Sequence, residues 1–147
     1  MTHSLLPARL DTVWVLLDAV GVQEVVGTVP WLRLPQGHRG IPGVIAWRAQ
    51  AVPIIDLAAF IPGLVAGEPR SRTLIARTGE STIALPVDAV TEVVQVAKEE
   101  LRVPHAVTIG IATAEAEVQG RLMALIDLDA LVRRLSGEGG AARTDDG

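Results

Sequence analysis

The chain has 147 residues, which is the size of one globular domain that can bury a substantial core. Hydrophobic residues make up 49% of the chain and charged residues 20%, so a disordered chain is excluded. The net charge of −4 argues against nucleic-acid binding, and the lack of cysteine excludes disulfides and thiolate metal sites.

The first predicted element is a β-hairpin near the N-terminus. LPARL (6–10) and VWVLL (13–17) are apolar runs separated by Asp11-Thr12, a hairpin signal. The preceding residues lack the basic start and the uninterrupted apolar stretch of a signal peptide. Charges and prolines interrupt every apolar run before the roughly 18 residues of a membrane helix. We therefore expect a cytoplasmic, soluble protein without direct membrane insertion.

Further short strands follow along the chain. VIAWRAQAVPIID (44–56) is interpreted as two strands with a turn near Ala49-Gln50. The other predicted elements, in order, are strands in RTLIAR (72–77) and STIALPV (81–87) around Thr78-Gly79-Glu80, a strand in RLMALID (121–127), a helix in LDALVRRL (128–135) and a disordered tail at 136–147. Many short strands at this spacing favour small β-barrels or a sandwich, so the fold class is mainly all-β.

An internal repeat relates the two halves of the chain. VWVLLDAVGVQEVVG, from Val13, resembles TIALPVDAVTEVVQV, from Thr82, and AVPIIDLAAFI (51–61) resembles LMALIDLDALV (122–132). Asp88 lies 70 residues after Asp18, and Asp127 lies 71 residues after Asp56. Because the two offsets agree to one residue, the sequence predicts two similar small β-barrels in tandem with a groove between them.

Four aspartates mark the ends of strands in this repeat. Asp18, Asp56, Asp88 and Asp127 each stand where a strand is expected to lead into a short helix or turn. An aspartate there can accept the free N–H groups of the first turn, which contributes about 1 kcal/mol. We interpret all four as capping residues rather than catalytic ones.

The sequence offers no catalytic or metal-binding set. His3, His38 and His105 are far apart and lack the spacing of a zinc site. GHRGIPG (37–43) leads into a strand-like VIAW rather than the helix that a phosphate loop requires. We therefore expect a non-enzymatic binding module without cofactors. A small-ligand or nucleic-acid binding β-barrel is the alternative from another functional class.

The order of several motifs resembles the CheW family of chemotaxis coupling proteins. The motifs, in chain order, are VQEVVG (22–27), LP (34–35), GVIAWRAQAVPIIDL (43–57), VDAVTEV (87–93), TIGIAT (108–113) and GRLMALIDL (120–128). The resemblance covers about residues 5–135 and implies a single domain of two five-stranded SH3-like barrels, at about 13–65 and 72–132, whose termini exchange strands.

The same resemblance implies an adaptor between two partners. The partners would be the cytoplasmic tip of a methyl-accepting chemoreceptor, near the groove between the barrels, and the regulatory domain of a CheA-like histidine kinase. Carried over by position, the receptor-coupling residues would be Val22, Glu24, Gly43 and Arg48. Two other interpretations stay open: Arg48 as an outward-facing strand residue, and Glu24 as a solvated residue of a short helical turn.

The chain departs from the family pattern at three places. The arginine-glycine turn of the family is Arg48-Ala49 here, and the asparagine two residues before the arginine is Ala46. Only HAV (105–107) separates Pro104 from TIGIAT, where the family has a longer acidic loop. An alanine with positive φ would cost about 1 kcal/mol. The second functional hypothesis is therefore a divergent relative that binds only one of receptor or kinase.

Overall fold

The computed structural model describes residues 1–104 and 110–136. Its strands are β1 (Thr2–Leu10), β2 (Val13–Asp18), β3 (Val22–Val26), β4 (Leu32–His38), β5 (Ile41–Trp47), β6 (Gln50–Pro53), β7 (Arg72–Thr78), β8 (Ser81–Val87), β9 (Ala89–Val90), β10 (Val94–Ala97), β11 (Ala112–Val118) and β12 (Arg121–Ile126). A helix, α1, spans residues 128–136. The all-β class with a C-terminal helix, expected from the sequence, is confirmed.

The largest sheet contains the N-terminal hairpin. Its strand order is β10-β1-β2-β12-β11, with the short β9 also paired to β1. The β1–β2 hairpin turns at Asp11 and Thr12, as predicted, and Asp11 has a φ of 55°. Aspartate tolerates this left-handed conformation better than most residues, which explains its place in the turn. Within the sheet only β2 and β12 run parallel.

Two three-stranded sheets complete the strand architecture of the described chain. One has the order β3-β7-β8 and the other β4-β5-β6, and a parallel bridge between Ile54 and Ala84 connects them. The pairing crosses between the halves of the repeat. β3 pairs with β7, and β10 pairs with β1. The division into barrels at about 13–65 and 72–132 stays a prediction. The β3–β7 pairing joins these two ranges, and the β10–β1 pairing joins the second range to the N-terminal strand.

The main hydrophobic core lies between the sheets and is closed by α1. Aliphatic side chains of β1, β2, β7 and β8 meet there. Leu128, Leu131 and Leu135 of α1 are buried against them at the three- and four-residue spacing of one helix face. Burying one leucine contributes about 1.5–3 kcal/mol, so α1 is anchored by packing rather than by intrinsic helix propensity.

The hairpin predictions agree with the strands, with one shift. β7 and β8 flank a two-residue turn at Gly79-Glu80, inside the predicted turn. The β5–β6 turn was expected near Ala49-Gln50, but Gln50 pairs with Trp47 as the first residue of β6. The turn therefore lies at Arg48-Ala49, one residue earlier.

Two predictions fall wholly or partly outside the described residues. The disordered tail was predicted at 136–147; residue 136 ends the described part of α1, and 137–147 lie outside the described range. The loop HAV (105–107) lies outside it as well, together with the first two residues of TIGIAT, whose last two residues begin β11.

The capping prediction is correct for two of the four aspartates. The Asp18 carboxylate accepts a hydrogen bond from the Val20 N–H at 3.0 Å, and the Asp127 carboxylate accepts one from the Ala130 N–H at 3.1 Å at the start of α1. Asp56 makes no capping bond to the turn that follows it, and Asp88 is followed by β9 rather than by a helical turn. Both of these carboxylates instead bind residues that are distant in the chain.

Candidate partner-docking site

The tip of the β5–β6 hairpin has an unusual backbone conformation for its sequence. Arg48 and Ala49 have φ values of 47° and 63°, and both belong to the two-residue turn. Two consecutive left-handed residues are the signature of a type I′ turn, which favours asparagine and glycine. Since Ala49 has a β-carbon, this conformation costs about 1 kcal/mol relative to glycine. Contacts outside the turn must therefore stabilise the tip.

Glu24 supplies such a contact from a neighbouring strand. It lies in the middle of β3, a run rich in β-branched valine, so the alternative that placed it in a short helical turn is wrong. Its carboxylate accepts a hydrogen bond from Arg48 Nη2 at 2.8 Å and another from the Trp47 indole N–H at 3.3 Å. The Arg48 and Glu24 side chains are 69% and 32% exposed, respectively. A pair this exposed contributes about 0.2–1 kcal/mol.

Trp47 is the functional candidate that the sequence interpretation missed. The guanidinium carbon of Arg48 lies 4.7 Å from the centre of the Trp47 ring, which is a cation–π contact. The half-buried ring packs on a small core that contains Ile45 and Val52. The available signal was the large aromatic residue placed directly before the arginine. Its bond to Glu24 depends on the tertiary fold, so sequence spacing alone did not reveal it.

The four predicted site residues occupy different environments. Glu24 and Arg48 are in direct contact. Val22 lies two residues before Glu24 in β3, half-buried against the main core, and pairs with Ala76. Gly43 is buried in β5 opposite Arg33 of the neighbouring β4, where a methyl group would overlap the carbonyl oxygen of Leu32. The close backbone approach at Gly43 is therefore made by the chain itself.

A groove opens beside the start of β3. Its cavity has a volume of about 550 Å³ and lies between the start of β1, the end of β7 and the start of α1. Its lining includes Val20, Gly21, Arg77, Asp127 and Asp129. The groove thus offers apolar area together with charges of both signs, a surface suited to an amphipathic protein segment.

Buried and partly buried polar contacts hold the connection between the two halves. Asp56, which is 1% exposed, accepts a hydrogen bond from the Gly67 N–H at 2.7 Å. Arg70 binds the Asp88 carboxylate at 2.6 Å and the Val65 carbonyl at 2.8 Å. Burial raises the pKa of Asp56, because desolvation outweighs the opposing effects of the Gly67 N–H and the Arg70 charge. These carboxylates therefore anchor residues 61–71, which we call the connecting segment.

Among the described residues, no group of three or more histidine, cysteine, aspartate or glutamate side chains could hold a metal ion. In the same part of the chain, no helix combines the length and the apolar character needed to cross a membrane.

Known proteins share this fold and these motifs. The family model of the CheW-like domain matches residues 4–136. The chain is 26% identical over 121 residues to the chemotaxis protein CheW of Rhizobium meliloti (strain 1021), covering 78% of this chain and 77% of the relative. It is 27% identical over 128 residues to a probable chemotaxis protein CheW of Rhizobium etli, covering 83% and 82%.

A solved structure gives the same assignment. The crystal structure of the scaffolding protein TtCheW from Thermoanaerobacter tengcongensis superposes with a TM-score of 0.73 at 26% identity, covering 86% of this chain and 90% of that chain. The family match extends over nearly the whole chain, from the first strand to the described end of α1. The chain therefore belongs to the CheW-like domain family.

Proposed function

We propose that this protein is a non-enzymatic scaffold that couples the cytoplasmic tip of a chemoreceptor to the regulatory domain of a CheA-type histidine kinase. The relatives named chemotaxis protein CheW and the neighbour named a scaffolding protein support this function. In such a mechanism no substrate is converted. Two binding surfaces on one rigid body allow receptor occupancy to shift the conformational equilibrium of the kinase. The cytoplasm is the compartment where both partners would be met.

The receptor tip docks on the surface formed by Val22, Glu24 and Arg48, which we call the β3 docking surface. The observation that carries this proposal is the contact between Glu24 and Arg48, which are 24 residues apart in sequence. The pair presents an exposed guanidinium beside the valine-rich strand β3. Arginine at a mixed apolar and charged surface is a frequent binding anchor. Gly43 contributes indirectly, by allowing β4 to pack against β5.

Pairwise binding measurements test this function. Purified protein is titrated against a receptor tip fragment and, separately, against a kinase regulatory domain. We expect saturable binding to both, and weaker receptor binding for the Arg48→Glu variant. Arg33→Glu is the matched control, because Arg33 is also exposed and lies 5.4 Å from the ring of Trp31, on the strand next to β5. Failure of the wild-type protein to bind either partner would rule out the scaffold.

A divergent scaffold that binds only one partner is the second candidate. The observation that favours it is the positive φ of Ala49, because the β5–β6 turn that carries Arg48 has no glycine and keeps this conformation at a cost in stability. The same titrations separate the two candidates, because binding to one partner alone would select the second. A small-ligand or nucleic-acid binding barrel would instead show affinity for single strands or small molecules, and the net charge of −4 opposes the nucleic-acid version.

A further inference from the structure

Trp47 contacts both members of the exposed ion pair. Its indole N–H donates to one carboxylate oxygen of Glu24 at 3.3 Å, while Arg48 donates to the other at 2.8 Å. The face of the same ring lies 4.7 Å from the Arg48 guanidinium. Three side chains from two strands and one turn thus form a closed set, in which each touches the other two.

The contacts restrict a side chain that is otherwise mobile. An exposed arginine has four rotatable side-chain bonds, and a single surface ion pair does not hold it in one geometry. At Arg48 the ring limits the guanidinium from one side and the carboxylate limits it from another. The ring itself is anchored, because it packs against the core that contains Ile45, Val52 and Ile54. Loss of the ring would therefore release the guanidinium even where Glu24 remains.

A second tryptophan on the same sheet provides the comparison. Trp31 packs against the same small core and carries Arg33 at 5.4 Å from its ring. Among the residues that the structure describes, Trp31 makes no hydrogen bond to a carboxylate like the one between Trp47 and Glu24. Both tryptophans thus contribute packing, whereas the arrangement that fixes an arginine from two directions occurs at Trp47.

We propose that Trp47 is a positioning residue that fixes the Arg48 guanidinium, through ring stacking and through its hydrogen bond to Glu24, for docking on the β3 docking surface. This inference rests on the proposed function for the identity of the docking partner. The positioning itself is a property of the free protein, so it can be measured without any partner. Trp47 acts through Arg48 and need not touch the partner.

The first experiment measures the mobility of the Arg48 side chain in the free protein. The heteronuclear NOE of the Arg48 Nε–H group is recorded by NMR for the wild type, Trp47→Phe, Trp47→Leu and the control Trp31→Leu. The resonance is assigned by its loss in Arg48→Ala. We expect a high value in the wild type, an intermediate value in Trp47→Phe, which keeps a ring but lacks the N–H, and a low value in Trp47→Leu.

The control separates positioning from packing. Trp31→Leu removes a comparable ring from the same core, so a similar loss of thermal stability is expected with no change at Arg48. If Trp47→Leu does not fold, Trp47→Phe decides the outcome. An Arg48 group that is equally mobile in the wild type and in Trp47→Phe would overturn the proposal.

The second experiment measures the energetic coupling in binding to a receptor tip fragment. In a double-mutant cycle, the fold-loss of affinity caused by Arg48→Ala is compared in the wild-type and Trp47→Leu backgrounds. We expect this loss to be about 2- to 5-fold smaller in the Trp47→Leu background, as an exposed cation–π contact implies. Equal losses in both backgrounds would contradict the proposal. If the wild type binds no receptor tip, the proposed function fails, and the NMR result still decides the positioning.

Discussion

Replacing Arg48 with alanine tests whether this residue serves binding or the fold. The variant removes an ion pair with Glu24, worth about 0.2–1 kcal/mol at this exposure, and a stacking contact with Trp47, worth about 0.5–1 kcal/mol. Part of this loss is offset, because alanine, unlike arginine, has no side-chain rotamer freedom to lose on folding. The left-handed backbone costs arginine and alanine about the same. We expect a net loss of about 1 kcal/mol in the free energy of unfolding.

This loss is small against the stability of a domain. Unfolding entropies of about 2 cal/mol/K per residue convert 1 kcal/mol into a decrease of about 3 °C in the melting temperature of a chain this long. Domains are stable by about 5–15 kcal/mol, so Arg48→Ala stays folded in a binding assay. Affinity for the receptor tip should fall at least about 10-fold, because an arginine anchor that becomes buried in an interface contributes more than about 1.4 kcal/mol to binding.

Thermal unfolding and receptor-tip titration of the same preparation check both parts. Arg33→Ala serves as the control, since Arg33 is stacked on Trp31 in a similar way. A decrease in melting temperature of more than about 10 °C would show that Arg48 is structural. An unchanged dissociation constant would show that the β3 docking surface does not receive the receptor tip.

Three further changes test the physical account of the fold. Gly43→Ala should cost about 1–3 kcal/mol in urea unfolding, because the new methyl group would force β4 away at Leu32; an unaltered midpoint would contradict the close packing. Ala49→Gly should raise the unfolding free energy by about 0.5–1 kcal/mol, since φ is 63° there, and a lower value would argue against the turn. Asp56→Asn should be more stable than wild type at pH 7, with the advantage shrinking toward pH 4. Because the pKa of Asp56 is raised, the folded state binds this proton more tightly than the unfolded state does. Proton binding therefore stabilises the fold at low pH, and the wild type loses this stabilisation as pH rises through the raised pKa of Asp56. A difference in unfolding free energy between the two proteins that does not change with pH would refute the role of Asp56 protonation.

Local patterns in the sequence were enough for most of the strands. The apolar runs on either side of Asp11-Thr12 and Gly79-Glu80 form the hairpins that they predict. Such turns are short-range features, because the turn residues themselves favour the required conformation. The apolar spacing after Asp127 likewise predicted α1.

The errors arise where tertiary contacts override local preference. The β5–β6 turn lies at Arg48-Ala49 although neither residue favours a left-handed backbone, and contacts from Glu24 and Trp47 lie outside the turn sequence. Glu24 itself was interpreted as part of a helical turn, but pairing with β7 places it in a strand. No sequence pattern near these residues indicates that they meet.

The four repeated aspartates show the same limit. Asp18 is equivalent to Asp88 in the repeat, and Asp56 to Asp127. Yet one member of each pair, Asp18 and Asp127, caps the turn that follows it, whereas Asp56 and Asp88 bind Gly67 and Arg70 of the connecting segment. The connecting segment has no counterpart in the repeat comparison. Internal repetition therefore predicted the strands but not the partners of their side chains.

The central claim is that one chain joins a receptor to a kinase, and a three-component sedimentation assay tests it most directly. Vesicles that carry the receptor cytoplasmic region are mixed with the kinase, with and without this protein, and pelleted. We expect the kinase to pellet with the vesicles when the wild-type protein is present, and far less of it to pellet when Arg48→Ala replaces the wild type. A pelleted kinase fraction that is the same with and without the wild-type protein would contradict the scaffold function.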